Sequence, residues 1–156
     1  MAGRVPRLDI AGRVKRPKIN PSKNEQAMNK TTRVDAAALP AQRWDDPGRG
    51  AITWHTMISA DLTPTRGLTC GIATLQPGDY FALHQHDEPE LYFGISGGCD
   101  VLIDGVAHRL DPEIVLFIAG NAMHGIMKVE QPVRFFYCFA RDSFDQIAYR
   151  FLKDHA

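Results

Sequence analysis

The chain has little of what usually fixes a protein's class at a glance. Cysteine is scarce: Cys70, Cys99 and Cys138 form an odd set with no Cys-x-x-Cys spacing. They read as reduced thiols of a cytoplasmic protein, with nothing beside them to activate one. No apolar run approaches the roughly 18 residues that a membrane span needs. The first 30 residues hold no apolar stretch of signal-peptide length, so secretion is not expected. The 156 residues carry no formal net charge, which removes any general attraction of the whole molecule to polyanions. There is no internal repeat, no sign of a second domain and no helix-turn-helix to read DNA. The length suffices for one domain with a real core.

What charge there is lies unevenly. Residues 1–34 hold nine Lys/Arg against Asp9 and Glu25, which leaves nine basic and sixteen acidic residues in the remainder. Residues 1–48 also contain Pro6, Pro17, Pro21, Pro40 and Pro47, few large apolar side chains and no sustained periodicity. This segment is expected to be a disordered, basic N-terminal arm, apart from a short helix near Ala36–Leu39. Met28 offers an alternative start within it. The arm has the charge of a nucleic-acid or acidic-lipid tether, but no nucleic-acid partner is expected.

From residue 49 to 156 the pattern is one of short strands punctuated by turns. Residues 52–58, 68–75, 80–86, 90–95, 100–103, 106–110, 114–118, 123–129 and 132–140 all have strand character. Asp104-Gly105 is a strong two-residue hairpin signal. Strands at a spacing of about ten residues imply an all-β sandwich or barrel. The apolar run 114–118 and the group Phe135, Phe136, Tyr137 and Phe139 are expected in its core, or in a sheet-to-sheet homodimer contact.

The most specific pattern is Gly78-x5-His84-x-His86-x3-Glu90-x6-Gly97, with a further histidine at 124. Histidines at i and i+2 lie on one face of a strand, and a carboxylate beyond a tight connection can face them from the next strand. Three imidazoles and one acid suit a divalent first-row metal such as iron, manganese, nickel, cobalt or zinc. Several ionisable groups buried together without a cation would be costly. Ligands from several strands must converge inside, which favours a small jelly-roll barrel. His55, His108 and His155 read as surface residues.

This segment resembles the first motif of the cupin superfamily at every defining position. The second cupin motif is matched more loosely from Asp111-Pro112-Glu113 through Ile118-Ala119-Gly120 to His124. Asp-Pro stands where Pro-Gly is usual, isoleucine replaces the second proline, and the histidine comes one residue late. The resemblance implies a double-stranded β-helix over residues 50–151, with His84, His86, Glu90 and His124 as ligands and Fe(II) as the favoured metal. Within cupins, the set with Tyr92 is similar to the small cupin-type dimethylsulfoniopropionate lyases, and that similarity implies Tyr92 as the base.

The residues allow the same chemistry. Tyr92 shares the inward face of its strand with Glu90. A phenol has an ordinary pKa of about 10, and a nearby cation would lower it. Loss of a β leaving group from a small carboxylate would complete an elimination. A sulfonium substrate also wants aromatic faces. Tyr80 is a candidate by its strand parity with His84 and His86, and Trp54 and Tyr137 are further candidates whose parity the sequence leaves open. A non-haem iron dioxygenase using the same ligands, or a non-catalytic module binding a small acid or sugar, are the competing expectations.

Overall fold

The computed structural model describes residues 31–152; residues 1–30 of the expected arm, Met28 among them, and His155 lie outside the described residues. Eleven strands follow in order among the described residues: β1 (Gln42–Arg43), β2 (Thr53–Ile58), β3 (Thr69–Leu75), β4 (Phe81–Gln85), β5 (Glu90–Ser96), β6 (Cys99–Ile103), β7 (Val106–Leu110), β8 (Val115–Ile118), β9 (His124–Ile126), β10 (Val133–Phe139) and β11 (Arg150–Phe151). They form two antiparallel sheets. One has the order β1-β2-β3-β10-β5-β8 and the other β11-β4-β9-β6-β7. The architecture is the expected all-β barrel.

Local chemistry sets the corners. Asp104 (φ 47°) and Gly105 (φ 82°) both take positive φ, the backbone of a type I′ hairpin, and β6 pairs with β7 directly across them, Ile103 opposite Val106. Gly97 (φ 71°) turns the chain between β5 and β6, and a Cβ there would strike the carbonyl oxygen of Pro132. The short helix expected near residue 36 is a 3-10 turn, Ala36–Ala38, capped by Asp35, whose Oδ1 accepts the Ala37 N–H at 3.1 Å.

The core follows the two-residue period of β10. Val133, Phe135, Tyr137 and Phe139 are buried, whereas Arg134, Phe136 and Cys138 face the other side of the sheet. Each fully buried phenylalanine contributes about 1.5–3 kcal/mol of apolar burial. Phe136, expected in the core, is therefore only partly buried on the outer face.

The run 114–118 departs further from expectation. It forms the edge strand β8, in which Ile118 is buried while Val115 is 54% and Phe117 71% exposed. An edge strand with one face turned outward buries only alternate residues, so a continuous apolar run does not imply a continuous core. Ordered pairing also begins upstream of residue 49. Gln42 and Arg43 pair with Trp54 and Thr53, and the Trp44 ring packs 5.0 Å from that of Trp54.

Candidate metal centre

His84 lies near the end of β4 and pairs directly with His124 at the start of β9, while His86 follows just beyond β4. Glu90 opens β5 in the opposite sheet, paired with Ile118 on one side and Phe139 on the other. The barrel thus brings two ligand positions of one sheet segment, a cross-strand neighbour and a carboxylate from the facing sheet to one point. All four residues are at most 3% exposed. One ligand atom from each lies within 4.8 Å of all the others.

Each imidazole is aimed by a backbone carbonyl. His84 Nδ1 donates to Ala82 O at 2.8 Å, His86 Nδ1 to Glu88 O at 2.8 Å, and His124 Nδ1 to Ala122 O at 2.9 Å. A carbonyl only accepts, so the proton sits on Nδ1 and the Nε2 lone pair is turned inward. Glu90 Oε2 lies 3.3 Å from His86 Nε2 and 3.2 Å from His124 Nε2. His84 Nε2 is buried with no partner. Three lone pairs and a carboxylate therefore converge with no donor between them. That donor set suits a cation, and outer-shell carbonyls on Nδ1 are what metal-ligating histidines use. The four residues could hold a divalent metal.

The electrostatics agree. Burial, and then the proximity of His124, push the His84 imidazole well below its ordinary range, so it stays neutral and able to ligate. Burial, followed by the Glu90 charge, pushes the Tyr92 phenol well above its ordinary range.

An aromatic cavity of about 20 Å³ reaches the cluster at Glu90 and is lined in part by Glu90, Tyr92, Trp54 and Tyr137. The structure thus brings three of the expected organic-site residues together: Tyr92 beside Glu90, with Trp54 and Tyr137 in the wall. The Tyr137 hydroxyl lies 3.2 Å from Thr56 Oγ1. Tyr80 is not among them. It is 38% exposed, and its hydroxyl donates to Pro47 O at 3.3 Å on the surface. The reason is an irregularity in β4 between Phe81 and His84, which reverses the side-chain alternation there. Phe81 points inward instead, its ring 4.2 Å from that of His84.

Tyr149 and Trp44, both in the cavity wall, stand outside the segments with strand character. Tyr149 places its ring 5.1 Å from His84 and 5.2 Å from His86, and Trp44 stands 5.0 Å from Tyr149. Neither lies in a periodic segment. The one available signal is a tryptophan in a stretch otherwise short of large apolar residues. His55 and His108 stay outside the site: His55 Nδ1 lies 3.2 Å from Pro40 O and His108 is exposed.

No family profile matches the chain. The chain is 38% identical over 118 residues to the dimethylsulfoniopropionate lyase DddW of Ruegeria pomeroyi, covering 76% of this chain and 78% of that protein. Among solved structures it is similar to the polyketide cyclase RemF of Streptomyces resistomycificus, with a TM-score of 0.68 and 17% identity over 79% of this chain and 86% of that one. It is also similar to an RmlC-like cupin of Shewanella frigidimarina, with a TM-score of 0.58 and 14% identity over 71% and 91% of the two chains. These two structures share the fold, while the identity to DddW shows kinship. This cupin barrel belongs to the family of the dimethylsulfoniopropionate lyase DddW.

Proposed function

We propose that the chain is a metal-dependent lyase that splits dimethylsulfoniopropionate into acrylate and dimethyl sulfide. The observation that carries this reading is the convergence of three inward Nε2 lone pairs and Glu90 beside the Tyr92 phenol in an aromatic cavity. Kinship with DddW supplies the substrate class. His84, His86, Glu90 and His124 would hold the metal, with Fe(II) favoured. When bound, a divalent cation supplies Lewis acidity toward a substrate carboxylate and offsets the burial and Glu90 charge that keep Tyr92 protonated.

The chain's own residues then divide the work. Tyr92 accepts the proton from the carbon next to the carboxylate. The electron pair of that C–H bond becomes the new carbon–carbon double bond, and the C–S electrons leave with neutral dimethyl sulfide. The rings of Trp54, Tyr137 and Phe81 offer faces to the positive sulfur and exclude water. The cavity as it stands has room for about one water. Entry of substrate therefore requires lining side chains to move aside.

A headspace sulfide assay on metal-loaded protein with dimethylsulfoniopropionate tests the reading. The expected result is volatile sulfide produced without air, including with a redox-inert metal. Oxygen consumption, with activity lost when zinc replaces iron, would instead identify a dioxygenase.

A cytoplasmic setting fits the three free thiols. We further propose a homodimer through the outer face of the larger sheet. There Phe93 lies opposite Val115 and Leu91 opposite Phe117, and Ile95 extends the patch. Phe117→Asp is expected to convert a dimer to a monomer in light scattering. A wild type that is already monomeric, or a variant that stays dimeric, removes this assembly.

A further inference from the structure

Two of the three imidazoles are aimed by the backbone just before them. His84 and His124 each donate to a carbonyl two residues back, Ala82 and Ala122. His86 is different: its acceptor is Glu88 O, two residues ahead, in the turn 87–89 that joins β4 to β5. A ligating histidine is only as well oriented as the group that takes its second N–H. The aim of His86 therefore depends on how firmly that turn is held.

The turn is held from the C-terminal part of the chain. Arg141 Nε donates to Glu88 Oε1 at 2.7 Å, and the Glu88 side chain is only 6% exposed. Arg150 Nη2 donates both to Asp87 Oδ1 at 2.9 Å and to Asn121 Oδ1 at 2.7 Å. The Asn121 N–H in turn donates to His86 O at 2.7 Å. Removing the Arg141 guanidinium would leave a buried carboxylate without its cation. The turn would then open to hydrate it and carry the Glu88 carbonyl away from His86.

We propose that Arg141, acting through Glu88, is a positioning residue for the metal centre: it fixes the 87–89 turn and so keeps Nε2 of His86 pointed at the other three ligand atoms. This rests on the metal reading above. The same geometry assigns Arg150 a supporting hold on the turn through Asp87 and Asn121.

Cobalt(II) titration of the full chain tests it, with the visible d–d bands reporting the ligand field and chelator competition giving the affinity. Arg141→Ala is expected to weaken cobalt binding about tenfold and to change the band shape, while far-ultraviolet circular dichroism stays that of the wild type. Arg141→Lys, which returns a cation to Glu88, is expected to restore most of the loss. Arg141→Ala combined with Glu88→Ala is expected to lose no more than the first variant alone, since both act through one contact. Affinity of Arg141→Ala within about twofold of wild type, or losses that multiply to about a hundredfold in the double variant, would overturn the inference. A wild type that binds no cobalt is a separate outcome: it removes the metal reading itself, and with it the ground for this one.

Discussion

Glu90→Ala is expected to yield folded protein without tightly bound metal and to cut sulfide release from dimethylsulfoniopropionate on the order of a thousandfold, a loss of about 4 kcal/mol. In the proposed centre Glu90 would supply the negative charge; it faces His86 Nε2 and His124 Nε2 at 3.3 and 3.2 Å. Without it, three neutral imidazoles must hold a doubly charged ion in a buried site, and the electrostatic part of the binding is gone. Glu90→Gln is the sharper variant, because it keeps the volume and one oxygen while removing the charge. It is expected to resemble the alanine variant in metal content and activity. Elemental analysis with the sulfide assay checks both. Stoichiometric metal and full turnover in either variant would mean that the four side chains do not act as one ligand set. Exhaustive chelation of the wild type should reproduce the variant's inactivity, and re-addition of iron should reverse it.

Tyr92→Phe is expected to lower turnover by about 10²- to 10⁴-fold while metal content stays normal, the range for loss of a positioned acid–base group. Phenylalanine preserves the packing, since the Tyr92 ring sits 4.5 Å from that of Phe135 and is 2% exposed. What disappears is the hydroxyl beside Glu90. Tyr149→Phe belongs in the same experiment, because Tyr149 brings a second phenol to the cluster, beside His84 and His86. A large loss at Tyr149 with little at Tyr92 would move the base to the C-terminal segment. Equal, small losses would leave proton removal to a group other than either phenol.

Much of this cluster was legible along the chain because three of its four side chains are close in sequence and follow strand geometry. The spacing of His84, His86 and Glu90 places them at the end of one strand and the start of the next, and the period of two does the rest. His124 was legible through the second motif, although nothing in the sequence showed that it would pair directly with His84. The misplacement of Tyr80 has a single cause. Unbroken alternation through residues 80–86 would turn Tyr80 inward with His84, whereas the chain bulges between Phe81 and His84 and exchanges the two faces. The run 114–118 misled for another reason: hydrophobicity shows that a residue suits burial, not whether its strand lies at a sheet edge.

By itself the sequence determined the all-β class, the hairpin at Asp104-Gly105 and the meeting of His84, His86 and Glu90, since each depends on short-range spacing and turn chemistry. Only the tertiary structure decided what surrounds them. It brought Trp44 from the proline-rich stretch and Tyr149 from the closing segment into the cavity wall, and it tied Arg141 to the turn that aims His86. Those contacts join residues dozens of positions apart through the closure of two sheets, and no local periodicity encodes which distant side chains will meet there.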